Sequence, residues 1–412
     1  MPAQSMAAPA GFVFLDSPSS PRQPWGLMRI VEIETFGRGG LAHYVDNLSR
    51  ALADLGHEVH VITAVDDELS EAPGKVRRHR RIAPWSGRWA PRLPKTLARL
   101  LLQGEALVDA LRTAFAAKRL RPDVVHLHCT NQIALVYLFW LRTVRLRVAY
   151  TAHVVTPHER IPLQSAIYGR VHALCHLIVA HSSFDRRRLQ DEFGVERERI
   201  AQIPHGEYGF FDQHEKRDRG LERRKLGLAD VDAVVLFFGY IREYKGLDLL
   251  LEAWPHVAES CPAARLLIAG DPVNLPPARR KELQRKAREF GAVDHFGYVP
   301  FEDVAGYFAA ADALVMPYRA ISQSGVLFLA LSLGLPVVAT AVGALPEMLE
   351  DGESALLVPP LDVPALGHAL ATALDDAELR ARLSRGGLAV AADHSWESIA
   401  ERTQVRFEAI RR

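Results

Sequence analysis

The sequence predicts an α/β protein with two doubly wound parallel sheets, one in each of two domains that face each other across a central cleft. Short apolar runs of strand length alternate with amphipathic helical patterns along most of the 412 residues. This alternation stops once, over a charged stretch without strand patterns at 212–224, and then begins again. The same β-α-β order on both sides of one linker indicates two domains of similar architecture.

Composition is typical of a folded protein and excludes several classes of partner. Hydrophobic residues make up 49% of the chain and charged residues 24%. The formal net charge of +1 argues against nucleic acid as a partner. Cys129, Cys175 and Cys261 show neither metal-binding nor disulfide spacing, and no apolar run reaches the length of a membrane span. We therefore expect a cytoplasmic protein.

The domain boundaries follow from where the patterns begin and end. Residues 1–26 are rich in Pro, Ser and Ala and lack a signal-peptide core, which predicts a disordered tail. We expect an N-terminal domain at 27–211, a linker at 212–230 and a C-terminal domain at 231–390. The helical pattern at 391–412 is expected to pack back on the first domain.

The N-terminal domain begins with a strand, a glycine-rich turn and an amphipathic helix. The turn and the start of the helix, G-R-G-G-L-A from Gly37 to Ala42, fit the dinucleotide pattern G-x-G-x-x-A. However, no acidic residue ends the following strand at the usual distance, since Asp66 and Asp67 come later. A dinucleotide-dependent oxidoreductase therefore remains an alternative, which a titration with NAD would decide.

Residues 84–121 mix large apolar side chains with arginine and lysine. Such a segment can rest on a membrane surface or on a large acceptor, which would place the protein at the inner face of the membrane. The other interpretation is a set of helices packed on the domain with their arginines in solvent. We favour the second, because arginine stems often cover apolar surface.

Histidines follow the carboxyl ends of several predicted strands, which is where open α/β sheets bind ligands. They are His126 and His128, His153, and His181. His126 and His128 share one face of their strand and form a potential metal pair. Because no third ligand stands at a suitable spacing, we predict hydrogen-bonded histidines and no metal.

In the C-terminal domain, a predicted strand at 312–316 leads into a polar turn, a helix at 326–332 and a further strand at 336–340. The turn reads Ser-Gln-Ser-Gly at 322–325. Its unpaired N–H groups at a helix N-terminus suit an anionic phosphate. The alternative is that the serines are ordinary helix caps.

Two cations follow the first strand of the C-terminal domain, in F-G-Y-I-R-E-Y-K-G-L-D. Arg242 and Lys245 lie at the carboxyl end of that strand and open a helix, so together they would suit a diphosphate. The alternative of solvated surface charge is less favourable. Cations at a helix N-terminus oppose the helix dipole unless an anion lies between them.

The motifs also occur in a recognisable order. They are G-G-x-x-x-Y-V, D-V-V-H-L-H, T-A-H, I-P-H-G, F-G-x-I-R-x-Y-K-G-L-D, A-D-A-L-V-M-P-Y and G-L-P-V-V-A-T-x-V-G-x-L-P-E. Over roughly 27–412 the chain resembles family 4 of the retaining glycosyltransferases, which have the GT-B architecture of two Rossmann-like domains. The resemblance rests on the number and order of the motifs, since none is decisive alone.

The resemblance implies a nucleotide-diphospho-sugar donor held mainly by the C-terminal domain. It also implies a glycan, lipid-linked or small-molecule acceptor held mainly by the N-terminal domain. The sugar would be transferred with retention at the anomeric carbon, without a bound metal or other cofactor. Gly39 and Gly40 match the family's glycine loop, His153 the histidine near the transferred sugar, and Lys245 the diphosphate-binding lysine.

Two positions depart from the family pattern. The usual arginine would fall on Tyr240, whereas Arg242 stands two residues further on. The usual glutamate pair would fall on Ile321 and Leu329, which cannot bind a hydroxyl group. We therefore predict a variant donor site, in line with a subgroup that has R-x-Y-K-G together with S-Q-S-G-V. The candidate donor contacts are Gly39, Gly40, Gln323, Ser324, Gly325 and Val326, and the candidate catalytic residues are His153, Arg242 and Lys245.

The mechanism expected from these residues is attack on the same face as the leaving group, since no carboxylate nucleophile is evident. The departing phosphate oxygen would take the proton of the acceptor. Two further alternatives remain. A sugar-nucleotide epimerase of similar architecture would form product without an acceptor, and a non-catalytic nucleotide-sugar-binding homologue would bind a donor without turnover.

Overall fold

The structure, a computed structural model, describes residues 26–67, 69, 75–82, 94–129, 133–153, 155, 164–208, 217–273, 275–322 and 324–411. The predicted disordered tail lies outside these residues except for Gly26, and so does the candidate donor contact Gln323.

Thirteen strands and fourteen α-helices occur within the described residues. The strands are β1 (Arg29–Glu34), β2 (Glu58–Ala64), β3 (Val76–Ile82), β4 (Val124–His128), β5 (Val148–Thr151), β6 (Leu177–Ala180), β7 (Ile200–Gln202), β8 (Ala233–Phe238), β9 (Ala264–Ala269), β10 (Val293–His295), β11 (Ala313–Met316), β12 (Val337–Thr340) and β13 (Leu356–Val358). The helices are α1 (Gly39–Asp54), α2 (Lys95–Arg119), α3 (Ile133–Thr143), α4 (Gln164–Leu174), α5 (Ser183–Phe193), α6 (Arg219–Lys225), α7 (Leu247–Ser260), α8 (Pro277–Glu289), α9 (Phe301–Ala310), α10 (Gly325–Ser332), α11 (Leu345–Met348), α12 (Val363–Asp375), α13 (Ala377–Ala392) and α14 (Trp396–Arg411).

The strands form two sheets whose neighbouring strands pair in parallel. The first has the order β3-β2-β1-β4-β5-β6-β7 and the second the order β10-β9-β8-β11-β12-β13. The predicted α/β fold with two doubly wound sheets is confirmed. In each sheet the strand order reverses beside the first strand, between β1 and β4 and between β8 and β11. A ligand crevice is expected at the carboxyl ends of the strands at such a reversal.

Helices cover both faces of the first sheet, as its alternating side chains require. One face carries Val31 and Ile33 into a core shared with α2 and α3. The opposite face carries Ile30 into a core shared with α1 and α14. The C-terminal helix α14 therefore belongs to the packing of the first sheet, and its Phe407 is fully buried there.

Strand β3 was not predicted, because its sequence V-R-R-H-R-R-I has almost no apolar residues. The strand lies at the edge of the first sheet, where one side of the backbone remains unpaired. The side chain of Arg78 on this strand is nonetheless only 6% exposed, and it pairs with Asp46 and with Asp67. Strong pairing with acidic groups lets a cation occupy this position.

Part of the predicted linker is helical. Helix α6 packs on α9, and Arg223 of α6 is fully buried. Its guanidinium donates to Asp312 Oδ2 at 2.7 Å and to the carbonyl oxygen of Ala310 at 3.0 Å. This part of the predicted linker therefore packs on the half of the chain that contains the second sheet. The predicted domain boundaries themselves stay predictions.

Helix α2 occupies 95–119 of the basic segment that we considered for membrane contact, and 83–93 lies outside the described residues. Leu107, Val108 and Phe115 of α2 are about half exposed. Among the described helices none combines the length and apolar character needed to cross a bilayer. Surface contact with a membrane stays a prediction.

The chain crosses from the first sheet to the second after Gly206 and returns before Trp396. At this point Glu207 N donates to the carbonyl oxygen of His394 at 3.0 Å, and the indole N–H of Trp396 donates to the carbonyl oxygen of Glu207 at 2.8 Å. A Cβ on Gly206 would overlap the indole ring. We call these four residues the crossing.

We predict that Gly206→Ala destabilises the protein by about 1–3 kcal/mol, the usual cost of forcing extra atoms into a packed site. The midpoint of urea unfolding, followed by tryptophan fluorescence, measures this. The matched control is Gly104→Ala in α2, where a Cβ meets no atom within 4 Å. That change should stabilise by about 0.5–1 kcal/mol, because alanine favours a helix interior. Equal midpoints for the two variants would contradict the packing at the crossing.

Candidate active site

The carboxyl ends of the two sheets enclose a cavity of about 390 Å³. Both sheets supply its walls, because Gly39, Gly40 and His153 come from the first half of the chain and Lys245, Gly325 and Val326 from the second. Six of the nine candidate site residues therefore line one cavity. Arg242 and Ser324 are close in sequence to residues that line the cavity, but they do not line it themselves. Gln323 is outside the described residues.

The glycine-rich turn is held by the end of β1. Glu34 accepts hydrogen bonds from the backbone N–H groups of Phe36 and Gly37, both at 2.7 Å. Helix α1 begins two residues later at Gly39. On the opposite wall, a Cβ on Gly325 would lie 2.7 Å from the Tyr208 hydroxyl, and a Cβ on Gly40 would lie 3.3 Å from the same oxygen. Both glycines therefore allow the two halves to approach closely at Tyr208.

Lys245 is positioned by the turn between β8 and α7. It ends a single 3₁₀ turn, Glu243–Lys245, and the next residue, Gly246, has a φ of +70°. A Cβ at Gly246 would also overlap the carbonyl oxygen of Pro317, which follows β11. Glycine is required there for both reasons. The lysine side chain then lies with its Nζ 5.3 Å from the centre of the Tyr318 ring.

Lys245 is only 7% exposed and lines the cavity, and none of the described residues accepts a hydrogen bond from its ammonium group. Burial, with the charge of Arg242 beside it, lowers the pKa of Lys245 to about 7. A buried cation without a counter-charge is costly. Such an arrangement at the wall of a cavity is typical of a site that binds an anion.

Arg242 precedes Lys245 in the same turn. Its Nε is buried without a partner in the described part of the chain, and its guanidinium carbon lies 5.7 Å from the centre of the Tyr240 ring. The position that usually holds the arginine is thus occupied by an aromatic ring that contacts Arg242. The predicted role of Arg242 towards a diphosphate stays a prediction.

The N-terminus of α10 supplies the second polar element of the cavity. Ser324 caps the helix by accepting from Leu327 N, which matches the simple capping interpretation of this serine. Gly325 and Val326, the first two residues of the helix, line the cavity, so the positive end of the helix dipole faces it. Leu329 also lines the cavity, and Ile321 is buried.

Four histidines surround Tyr44 of α1 beneath the cavity. The centres of their rings lie between 4.9 and 5.6 Å from the centre of the Tyr44 ring. They are His128, His153, His181 and His205. His153 lies 3.3 Å from His128 through Nε2 and 3.4 Å from His181 through Nδ1. Both of its ring nitrogens are therefore engaged within the protein.

His126 and His128 have a third neighbour that the sequence did not indicate. Glu32 Oε2 lies 2.7 Å from His128 Nε2 and 3.0 Å from His126 Nδ1, and all three residues are buried. These residue types could hold a metal ion. Their separations are also those of ordinary hydrogen bonds, and His126 Nε2 bonds to Thr151 Oγ1 at 2.7 Å. The prediction of hydrogen-bonded histidines is consistent with these contacts, but the spacing argument missed Glu32.

Three further residues of the cavity wall were not predicted as site residues. They are Tyr44, His205 and Tyr208. The first two belong to motifs named above, but no role at the site was predicted for them. Tyr44 is the aromatic residue of G-G-x-x-x-Y-V, and His205 belongs to I-P-H-G. Aromatic and histidine residues directly after a glycine turn or a strand end were the available signal.

Two family models match the chain. "Glycosyltransferase Family 4" matches residues 38–206, and "Glycosyl transferases group 1" matches residues 232–376. The D-inositol 3-phosphate glycosyltransferase of Geodermatophilus obscurus is 30% identical over 397 residues, which cover 90% of this chain and 85% of that protein.

Two solved structures share the fold over nearly the whole chain. Anabaena Alr3699/HepE, in complex with UDP and glucose, superposes with a TM-score of 0.71 at 18% identity, covering 91% of this chain and 98% of that one. Sucrose-phosphate synthase of Thermosynechococcus elongatus superposes with a TM-score of 0.72 at 22% identity, covering 91% and 97%.

The predicted GT-B architecture is thus confirmed, with its two sheets facing one cavity. The similarity to the Geodermatophilus protein spans both halves of the chain and both sides of that cavity. We conclude that this chain belongs to glycosyltransferase family 4.

Proposed function

We propose that this protein transfers a sugar from a nucleotide-diphospho-sugar donor to an acceptor hydroxyl group, with retention of configuration at the anomeric carbon. The diphosphate would lie between Lys245 and the N-terminus of α10. No divalent metal would take part.

The observation that supports this proposal most directly is the position of Lys245, a largely buried cation on the cavity wall. It faces a cavity, no described residue accepts from it, and the first residues of α10 line the same cavity. A diphosphate would supply the missing negative charge and accept hydrogen bonds from the helix N-terminus. The UDP held by the HepE structure has this chemistry.

The same groups suit the transition state. Negative charge grows on the leaving diphosphate as the bond to the sugar breaks, and preorganised positive groups stabilise it most at that point. Arg242 would add to this effect, because its buried Nε lacks an acceptor within the described residues. With no carboxylate nucleophile evident, we propose that the departing phosphate oxygen takes the proton of the acceptor.

A non-catalytic nucleotide-sugar-binding protein is the second candidate. It is favoured by Leu329 on the cavity wall and by buried Ile321, because neither can bind a sugar or ribose hydroxyl. The two candidates differ only in turnover, so binding experiments alone do not separate them.

The decisive experiment has two steps. A panel of nucleotide sugars is first screened for thermal stabilisation, since a ligand of the native state raises the melting temperature. The best donor is then incubated with acceptors, including D-inositol 3-phosphate, with EDTA present. We expect a glycoside with retained configuration by NMR. Donor binding without transfer or hydrolysis would favour the second candidate, and activity that requires added magnesium would contradict metal independence.

Arg242→Ala is predicted to lower turnover by about 100- to 1,000-fold, the usual effect of losing one preorganised donor to a developing charge. Steady-state kinetics with the best donor measure it. Arg242→Lys should recover only part of the loss, since an ammonium group cannot make a forked contact.

The matched control for Arg242 is Arg285→Ala. Arg285 lies on α8, where it pairs with Glu289 at the exposed surface. Its loss should leave turnover unchanged. If Arg242→Ala also kept turnover within about threefold of the wild type, the loss of transition-state stabilisation would be well under 1 kcal/mol. Arg242 would then have no role in stabilising the leaving diphosphate.

Nucleotide binding is predicted to be linked to protonation of Lys245. Its pKa of about 7 means that, before the nucleotide binds, the Lys245 side chain is mostly neutral near pH 8. A bound diphosphate favours the charged form and raises this pKa, so binding should take up close to one proton at about pH 8 and almost none at about pH 6. Calorimetry with UDP in buffers of different ionisation enthalpy measures the number of protons.

Lys245→Arg provides the control, because it keeps the positive charge but does not titrate in this range. Proton uptake at about pH 8 should disappear in this variant. Uptake that persists would mean that another group titrates on binding, and the proposed contact with Lys245 would be wrong.

A further inference from the structure

We propose that Arg319 is a positioning residue, which holds the turn that carries Lys245 in a fixed place relative to the N-terminus of α10. Arg319 itself does not touch the ligand. This inference rests on the proposed function, because it concerns the two groups to which that proposal assigns the diphosphate. The 3₁₀ turn Glu243–Lys245 is called the lysine turn below.

Arg319 binds the main chain of the lysine turn at two points. Its backbone N–H donates to the carbonyl oxygen of Tyr244 at 2.7 Å, and its Nη1 donates to the carbonyl oxygen of Glu243 at 2.8 Å. Hydrogen bonds from a charged donor are the stronger kind. Lys245 is the next residue in the chain, so these bonds fix the backbone from which its side chain extends.

Asp248, in the first turn of α7, holds the same guanidinium group from another side. Its Oδ1 accepts from Nη1 of Arg319 and its Oδ2 accepts from Nη2, both at 2.8 Å. Such a forked pair fixes the orientation of the planar guanidinium group. Burial by itself would raise the pKa of Asp248, but the hydrogen bonds and charge of Arg319, with the charge of Arg279, outweigh it and lower the pKa. The carboxylate therefore stays ionised at neutral pH.

The segment that contains Arg319 also leads to α10. Tyr318, the preceding residue, has its ring centre 5.3 Å from Lys245 Nζ. Its hydroxyl group lies beside the side chain of Ser324, the N-cap of α10. Thr340 Oγ1 donates to the carbonyl oxygen of Tyr318 at 2.5 Å, which ties this segment to the neighbouring strand β12. One short segment therefore contacts the lysine turn, the lysine side chain and the helix cap.

The lysine turn needs an external contact of this kind. Gly246, the residue that follows Lys245, has a φ of +70°. Glycine has more backbone freedom than any other residue, so the chain at this point does not hold the turn by itself. The contacts of Arg319 with the carbonyl groups restrict the turn just before this glycine.

Arg319 differs from the cations of the proposed site in how its charge is used. It does not line the cavity, and both of its terminal nitrogens donate to protein acceptors. Its charge is balanced by Asp248. Lys245, in contrast, lines the cavity, and no described residue accepts from its ammonium group. The structure therefore gives Arg319 a place in holding the site rather than in binding the anion.

Fixed placement matters for this chemistry because a diphosphate between Lys245 and α10 must meet both at once. Groups stabilise a developing charge best when they need no rearrangement during the reaction. A displacement of about 1 Å in a positioned group can cost about 100-fold in rate. Loosening the lysine turn should therefore weaken nucleotide binding and lower turnover further.

The first variant is Arg319→Ala, which removes the guanidinium contacts and keeps the backbone N–H. Calorimetry with the nucleoside diphosphate of the best donor measures affinity, and steady-state kinetics measure turnover. We expect affinity to fall by about tenfold or more, about 1.4 kcal/mol, and kcat to fall as well. Affinity and kcat both within about twofold of the wild type would overturn the proposal.

The matched control is Arg279→Ala. Arg279 of α8 contacts the same two acidic residues, with 2.9 Å to Asp248 Oδ2 and 3.0 Å to Glu243 Oε1, and its side chain is similarly exposed. It reaches only side chains and not the main chain of the turn. Affinity should change by less than about twofold. An equal loss in Arg279→Ala and Arg319→Ala would place the effect in the charge network and contradict the role of the main-chain contacts.

Two further variants keep the test valid if Arg319→Ala does not fold. Arg319→Lys should recover part of the affinity, because an ammonium group cannot make the forked contact. Asp248→Asn should produce a smaller loss in the same direction. When Asp248→Asn is combined with Arg319→Ala, the loss should not exceed that of Arg319→Ala alone, since both changes act through one contact. Additive losses would contradict this coupling.

Hydrogen exchange without a ligand separates positioning from general stability. Peptides that cover 240–250 should exchange faster in Arg319→Ala than in the wild type or in Arg279→Ala, because the lysine turn is released. A lower melting temperature with unchanged exchange in these peptides would mean that Arg319 only stabilises the fold, and would overturn the proposal.

Lys245→Ala distinguishes failure of this inference from failure of the proposed function. If Lys245→Ala binds the nucleoside diphosphate as tightly as the wild type, the proposed site is wrong and the inference falls with it. If Lys245→Ala loses affinity and Arg319→Ala does not, only the positioning role of Arg319 is wrong. Donor binding without turnover would contradict catalysis, and the affinity comparison between the Arg319 and Arg279 variants would still decide the positioning role.

Discussion

The chain passes between the two sheets at Gly206 and again at Trp396, and hydrogen bonds join the outgoing and returning segments beside the cavity. The indole ring of Trp396 packs on Gly206 and lies edge-on to Tyr44, at 5.2 Å between ring centres. These contacts fix how the carboxyl ends of the sheets face each other. Because Tyr44 also packs among the histidines, the same contacts connect the relative placement of the two halves to the floor of the cavity.

Around this fixed frame, the two halves contribute different kinds of polarity. The second half presents cations and a helix N-terminus, and Lys245 is held there by Gly246 and Tyr318 at a cost in stability. The first half presents a layer of histidines above a buried carboxylate, Glu32. Positive charge at the cavity wall thus comes from the second half, where no described residue accepts a hydrogen bond from Lys245. A ligand that brings negative charge is the partner such an arrangement fits.

Periodicity and strand ends were sufficient to predict the two sheets, the cavity between them and the placement of His153 and Lys245, because all of these depend on local patterns. Partners from distant segments were harder to foresee. Glu32 meets His128 because β1 pairs with β4 at the reversal of strand order, ninety-six residues away in sequence. Strand β3 was not predicted because it lacks the apolar alternation of a strand. Its charged residues are accommodated because Arg78 pairs with Asp46 and Asp67, which lie far from it in sequence. The role of Gln323 rests on sequence alone.

The basic composition of β3 has a consequence for how this protein behaves at high concentration. Of the four edge strands, β7, β10 and β13 have three residues each, too few to pair stably with a strand of another molecule. β3 has seven, and four of them are arginines. Two copies meeting along this margin would bring rows of like charge together. The charge on β3, the only long edge strand among the described strands, thereby opposes edge-to-edge pairing between molecules, which is a route to aggregation of proteins with exposed sheet edges.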